Sequence, residues 1–321
     1  MIIDLKTAVE FLENNDNFLI LTHAHPDGDT LGCGFALCEA LQLLGKKAYV
    51  RCSDPMPKNC TYLGTLCDED VETDNIIAVD VADAKLLGKD FEERFGGRVR
   101  LCIDHHGSNR LYAENTLLDS SAAAACEIVL EVIRALGVSV TKTIANCIFT
   151  GLTTDTGCFR YSNVTPRTMR MAADMIECGA ENSRINVIMF ETKTKTYVAL
   201  ERLALESMDM HFDGKCAYIT ITQDMFRKSG SDESEVDAIA AKPRQIEGVL
   251  VGVTMREKTD GTFKVSMRSH EGVDVSDICA MMGGGGHARA AGCTVNGDAQ
   301  TAKAQVLESI ERYFKENGVN N

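Results

Sequence analysis

The sequence predicts an α/β protein, with an N-terminal domain on a parallel sheet, a smaller C-terminal α/β domain and a helical linker between them. Three observations carry this. Short apolar runs at 18–21, 75–79 and 99–103 each end in side chains that bind metals, as strands do at the carboxyl edge of a parallel sheet. Helix-length segments separate these runs. Near residues 192–214 the texture changes from almost continuous helix to strands and glycine-rich turns. The expected boundaries are therefore 1–191, 192–214 for the linker and 215–321, and 321 residues suffice for two cores.

Taken in order, residues 1–16 pattern as an amphipathic helix with Leu5, Ala8, Val9 and Leu12 on one face. The buried strand Phe18–Leu21 runs into a polar loop reaching Thr30, and an apolar, small-residue helix from about Leu31 to Leu44 closes at Gly45. Lys47–Cys52 reads as a second strand, and 54–74 as turns, with Pro55, Pro57 and a short helix. Asn75–Asp80 is a strand ending in a carboxylate, Phe91–Arg98 a helix end and turn, and Val99–Asp104 a third strand leading into His105 and His106. Helices follow at Ser121–Leu136, capped by Ser120 or Ser121, and at Thr141–Thr153, which runs into Asp155. Further helices are expected at Met169–Glu177, Arg184–Phe190 and Thr196–Met210, the last polar enough on one side to connect two domains. Beyond Lys215 come a strand at Ala217–Ile221, helical pieces, and a β-hairpin from Ile246–Arg256 to Phe263–Arg268. The glycine-rich stretch Gly283–Gly292 and a C-terminal helix complete the chain.

An apolar fraction of 45% and a charged fraction of 25% are those of a soluble globular protein. No apolar run is long enough to span a bilayer, and Met1–Lys6 does not resemble a signal peptide, so no membrane partner is expected. Thirteen cysteines without a C-x-x-C pair read as reduced core thiols of a cytoplasmic protein. A net charge of −14 argues against a broad grip on duplex nucleic acid but allows a small anion in a local cationic pocket.

The loop after the first strand holds His23, His25, Asp27 and Asp29, with Pro26 and Gly28 tightening the turn. Taken alone, it also reads, less strongly, as a strand-to-helix connection whose Asp29 or Thr30 caps the helix. Asp80, Asp104, His105, His106 and Asp155 then recur after later apolar segments. A mixed carboxylate and imidazole set suits manganese, with magnesium or cobalt as further candidates. Two divalent ions would balance Asp27, Asp29, Asp80 and Asp155; without them, four close carboxylates would repel and some would protonate. Two ions about 3.5–4 Å apart can lower the pKa of a shared water and clamp a phosphate oxygen, the arrangement used for phosphoester hydrolysis. His106 would contact the scissile phosphate or protonate the leaving oxygen. Consecutive glycines at 283–286 could bring backbone N–H groups close to an anion, with His287 and Arg289 adding charge, or could be a flexible turn. Arg268 ends a strand that could face the same pocket or solvent. His211 and His270 read as surface or core residues.

These motifs resemble the DHH phosphoesterase family. The resemblance rests on Thr22–Asp29, Val79–Asp83, Asp104–Gly107 and Asp155–Gly157, with Gly283–Gly292 similar to the family's associated nucleotide-binding domain. The compact two-domain length resembles the bacterial nano-RNase branch. That implies manganese-dependent enzymes (two ions per site) that cut short oligoribonucleotides and linear dinucleotides, or remove the 3′-phosphate of 3′-phosphoadenosine 5′-phosphate. By the same resemblance His23, Asp27 and Asp80 would hold one metal, and Asp29, Asp80, His105 and Asp155 the second, with Asp80 bridging. Asp104, orienting His105, and His106, on the substrate side, would be the catalytic pair. Arg268, Gly285, Gly286 and His287 would hold the distal nucleotide, and His25 receives no ligand role. With metals in one domain and the nucleotide grip in the other, short substrates are favoured and domain closure would gate turnover. An inorganic pyrophosphatase shares the N-terminal motif logic but has less use for the glycine-rich stretch. A single-strand exonuclease is disfavoured by the negative charge, and a non-catalytic nucleotide sensor by the presence of every expected ligand. The resemblance also allows homodimerisation through the first domain, which the residues themselves do not show.

Overall fold

The run Phe18–Leu21 is apolar at every position and so has no face to offer to water; in the computed structural model it is a strand buried throughout. The structure describes residues 1–319 and divides into a unit from Met1 to Thr192 and a second from Lys193 onward. The first unit contains α1 (Leu5–Asn14), β1 (Phe18–Leu21), α2 (Gly28–Leu43), β2 (Ala48–Arg51), β3 (Asn75–Val79), α3 (Lys89–Phe95), β4 (Val99–Asp104) and β5 (Asn115–Leu118). It ends with α4 (Ala125–Ala135), α5 (Lys142–Asp155), α6 (Pro166–Glu177) and α7 (Asn182–Asn186).

The five strands form a parallel sheet in the order β2-β1-β3-β4-β5. Alternate residues feed two cores. Phe18, Ile20, Ile77, Val79, Leu101 and Ile103 pack with α1, α2, α4 and α5, while Leu19, Leu21, Ile76, Ala78 and Cys102 pack against Phe91 and Phe95 of α3. The strand order reverses direction between β1 and β3, and open α/β sheets place ligands outside the carboxyl ends at such a switch point. Three groups of candidate metal ligands follow β1, β3 and β4 there.

The second unit comprises α8 (Lys195–Glu206), β6 (Asp209–His211), β7 (Cys216–Ile221), α9 (Gln223–Ser229), α10 (Val236–Ala240), β8 (Val251–Glu257), β9 (Phe263–Ser269), α11 (Val275–Ala280), β10 (Gly285–His287), β11 (Ala290–Val295) and α12 (Ala299–Glu316). Its sheet runs β10-β11-β9-β8-β7-β6, with only β7 and β8 parallel. The expected hairpin is β8–β9.

Several elements differ from the sequence expectation. The helix expected from Thr196 to Met210 stops at Glu206, and Asp209–His211 pairs with β7 as an edge strand. Nor is this helix a free connector, because Tyr197, Leu200 and Ala204 form a stripe that packs on Ile219, Ile221 and Phe226. Arg184–Phe190 is split between α7 and a π-helical turn at Val187–Glu191. The short helix of 54–74 is one 3-10 turn, Lys58–Cys60. Helix α4 begins at Ala125, and neither Ser120 nor Ser121 caps it; Ser121 instead donates to Asp119 Oδ1.

Candidate metal centre

Helix α2 starts earlier than its apolar pattern suggests because Asp27 caps it: Asp27 Oδ1 accepts the backbone N–H groups of Asp29 and Thr30 at 3.0 and 3.1 Å. The cap is thus neither Asp29 nor Thr30. The Thr30 hydroxyl instead donates to Val79 O at 3.0 Å, tying the helix start to the end of β3. His23 Nδ1 lies 2.8 Å from Ala24 O. A carbonyl can only accept, so Nδ1 carries the proton and, in the neutral ring, Nε2 keeps a lone pair, 3.6 Å from Asp27 Oδ1 and 3.7 Å from Asp80 Oδ2. His105 is built alike. Its Nδ1 is 3.1 Å from Ala122 O, and its Nε2 lies 3.5 Å from Asp80 Oδ1 and 3.3 Å from Asp155 Oδ2.

Asp80 is the hinge of this arrangement. It follows β3 directly, is 3% exposed, and adopts φ +57°, a left-handed conformation that costs a non-glycine residue about 1–3 kcal/mol. Its two oxygens turn toward different imidazoles. Asp80 Oδ1 and His105 Nε2 are buried and have no hydrogen-bond partner among the described residues, a state that is costly unless something else satisfies them. One donor set of His23, Asp27 and Asp80, and another of Asp29, His105 and Asp155, each gather their ligand atoms within 4.8 Å. Orphaned lone pairs converging from carboxylates and imidazoles are what one or two divalent cations require, so the residues fit such ions. Asp155 is the last residue of α5, so the helix expected to end at Thr153 extends to the ligand itself.

Asp29 explains the uncapped start of α4. Its Oδ2 accepts Ala125 N–H at 2.6 Å and its Oδ1 accepts Cys126 N–H at 3.0 Å, so a residue of α2 serves the N-terminus of another helix. The approach requires Gly151, since a Cβ there would lie 2.4 Å from Asp29 Oδ1 and 2.2 Å from Cys126 Sγ. Burial raises the Asp29 carboxyl above its usual range. Burial, and then the charges of Asp29, Asp27, Asp155 and Asp104, push Asp80 well above its usual range. Burial, followed by Asp29 and Asp27, pushes Asp155 up to about 9. The cluster therefore carries more negative charge than it can hold alone, the deficit that bound cations would fill.

Asp104 differs from the expectation in its partner. Its Oδ1 is 2.8 Å from His106 Nδ1 and also accepts the backbone N–H groups of His105 and His106, whereas the His105 ring is oriented by Ala122. The reason is local: at a strand end, the ring two residues on folds back over the carboxylate. Asp104 Oδ2 accepts the side-chain amide of Asn109 at 2.6 Å. Burial opposes ionisation of Asp104, but the hydrogen bonds from His106 and Asn109 outweigh it and hold the carboxyl below its usual range. Donating to Asp104 in turn raises His106. Asn109 went unremarked in the sequence because Gly107-Ser108-Asn109 reads as turn composition. His25 lies outside the cluster, exposed and paired with Asp54 at 2.9 Å.

In the second unit, Ala290 of β11 pairs with both His287 of β10 and Arg268 of β9. Directly paired residues project from the same face, so Arg268 and His287 share one row and one face of the sheet. Gly285, Gly286 and His287 are exposed. The stretch is an ordered β10–β11 hairpin rather than a flexible turn, and Gly286 is needed in it, since a Cβ there would lie 2.6 Å from Ala290 O. Arg289, considered with His287 from the sequence, is occupied in bonds to His270 O and Val273 O. His270 is exposed and lies 2.9 Å from Arg244 O, while His211 packs edge-on to Tyr218.

Comparison with known proteins agrees with this geometry. The N-terminal domain of the DHH family matches residues 17–152, and the DHHA1 domain matches residues 213–316. A Thermus thermophilus protein named bifunctional oligoribonuclease and PAP phosphatase NrnA is 34% identical over 298 residues, covering 91% of this chain and 88% of that one. The chain belongs to the DHH family. A Streptococcus mutans relative, named a probable protein of the same kind, is 25% identical and covers 89% of this chain and 92% of its own. In fold, this DHH chain is similar to an exopolyphosphatase-related protein from Bacteroides fragilis, with a TM-score of 0.89 at 22% identity over 98% of this chain and 97% of that one. Membership makes it a phosphoesterase of a metal-dependent family, and its acidic clusters could hold the metal. Among the described residues no helix is long and apolar enough to cross a membrane.

Proposed function

We propose that this phosphoesterase hydrolyses short oligoribonucleotides and linear dinucleotides to mononucleotides with manganese, and also removes the 3′-phosphate of 3′-phosphoadenosine 5′-phosphate. The observation that carries the reading is Asp80, one oxygen toward His23 and the other toward His105, with Asp80 Oδ1 and His105 Nε2 buried and without a hydrogen-bond partner among the described residues. His23, Asp27 and Asp80 would hold one ion, and Asp29, Asp80, His105 and Asp155 a second. When bound, the ions supply an activated water and charge stabilisation for the phosphate. The chain's own residues do the rest. Ala24 O and Ala122 O fix the two imidazoles with Nε2 inward. His106, its side chain 45% exposed and held through Nδ1, presents Nε2 to the substrate; in the doubly protonated form that Asp104 favours, it gives its Nε2 proton to the leaving oxygen and is left as the Nδ1–H ring. Arg268 and His287, with the backbone of Gly285 and Gly286, bind the nucleotide. Relatives named oligoribonuclease and PAP phosphatase support the substrate class. In the same reading the enzyme is cytoplasmic, its cysteines free, and homodimeric through its first unit.

The test incubates the protein and manganese with a short RNA, a long RNA, linear diadenylate, phosphoadenosine phosphate and pyrophosphate, alongside Asp80→Ala. Mononucleotide release from short RNA and diadenylate, lost in Asp80→Ala, is expected. Cleavage of pyrophosphate alone would overturn the substrate assignment, as would preference for the long RNA.

A further inference from the structure

Asp104 is fully buried, and its two oxygens are served unequally. Oδ1 takes the His105 and His106 backbone N–H groups and the His106 ring. Oδ2 takes the Asn109 side-chain amide at 2.6 Å and has no other hydrogen bond among the described residues. Asn109 is itself braced: its Oδ1 accepts Leu111 N–H at 2.7 Å, its backbone N–H donates to His106 O at 3.0 Å, and its amide also reaches Val81 O at 3.4 Å. The carboxylate plane is thus held from both ends, by Asn109 on one oxygen and His106 on the other.

We propose that Asn109 is a positioning residue for the phosphoesterase reaction: it clamps Asp104 so that Asp104 keeps the His106 ring in its Nδ1–H form, with Nε2 facing the substrate. The geometry supports this by elimination. A carboxylate held at one oxygen can rotate about its Cβ–Cγ bond, and rotation would take Oδ1 away from His106 Nδ1. The competing acceptor is close, because Asp80 Oδ1 lies 3.4 Å from the same nitrogen. Without Asn109 the ring could turn to Asp80, and Nε2 would leave its direction. An imidazole orienter of this kind typically matters by about 10–100-fold.

The inference rests on the role proposed for His106, and its test separates the two. Asn109→Asp keeps the acceptor for Leu111 N–H, and so the turn, but removes the donor to Asp104. It is expected to lower kcat about 10–100-fold with KM within about twofold; its melting temperature falls, because the new carboxylate faces Asp104 Oδ2, whereas Asn109→Ala adds no charge and should give the same loss of kcat. In an Asp104→Ala background, Asn109→Ala should add nothing further to the loss in kcat, since it acts through that carboxylate. The third readout needs no turnover. In metal-free protein with 15N-labelled histidines, taken to a pH at which the His106 ring is neutral, His106, assigned by loss of its signals in His106→Gln, should show one Nδ1–H tautomer in the wild type and a mixture in Asn109→Asp. If Asn109→Asp does not fold, Asn109→Ala is read in its place. Unchanged kcat in the folded variant, an additive effect in the Asp104→Ala background, or an unchanged His106 tautomer would each overturn the proposal. A wild type inactive on every substrate but with the tautomer shift intact would fault the proposed reaction and leave the clamp standing.

Discussion

At the carboxyl edge of the first sheet, Asp29, Asp80 and Asp104 are at most 3% exposed, and fixed donors or neighbouring imidazoles surround each of them. At the edge of the second sheet, Gly285, Gly286 and His287 lie open to solvent, and Arg268 is half-buried. The first arrangement stores electrostatic cost: buried carboxylates repel one another, and Asp80 holds a left-handed backbone. The second stores almost none, offering backbone groups, one imidazole and one guanidinium on an ordered hairpin. Chemistry that must polarise a phosphate belongs in the first setting, where fields are strong, and recognition of a nucleotide suits the second. Substitutions should therefore be drastic in the first sheet's site and mild in the second's.

The largest effect is expected for Asp80→Asn, which should lower kcat at least about 10²–10³-fold. Because it removes one of several repelling buried charges, it should also raise the melting temperature of the protein in chelator. A lowered melting temperature would mean that Asp80 is structural and the comparison misdrawn. His106→Gln, which loses the proton donor but not the fold, should lower kcat about 10²-fold or more. It should leave manganese binding, measured by calorimetry, nearly unchanged.

The third prediction concerns pH. In chelator, the raised carboxyls of Asp80 and Asp155 bind more protons folded than unfolded. Their contribution to stability is full below the unfolded carboxyl pKa of about 4 and is lost as pH rises through the folded value, about 9 for Asp155. Melting temperature in chelator should thus fall between pH 5 and about 9. Saturating manganese should flatten that fall by binding the ionised form. A flat profile in chelator would remove the charge-deficit argument. In the second unit, Arg268→Ala should raise KM roughly tenfold with kcat nearly unchanged, as expected of a residue that binds substrate and transition state alike. Smallest of all, His25→Ala should alter neither kcat nor stability by more than about 0.5 kcal/mol equivalent, since His25 is an exposed residue paired only with Asp54.

Legibility followed how local each device is. The strands before His23, Asp80 and Asp104 were readable because an apolar run that ends abruptly in ligand-forming residues is a contiguous signal. Ala125 was not readable as a helix start, because its cap is Asp29, nearly a hundred residues earlier in the chain. Asp104 was paired with the wrong histidine: sequence places His105 and His106 side by side, and only the strand-end geometry decides which ring folds back. The helix at Lys195–Glu206 was recognised, but its neighbours were not, since an apolar stripe announces burial without naming what buries it.

By itself the sequence determined the α/β class, the membership in the DHH family and the identities of the clustered acids and histidines, because periodicity and contiguous motifs are written in the order of residues. The tertiary structure alone decided that Asp80 turns one oxygen to His23 and the other to His105, that Asp29 serves α4, and that Asn109 grips Asp104. Each of these is a contact between segments, set by strand order and helix docking and carried by no single stretch of chain.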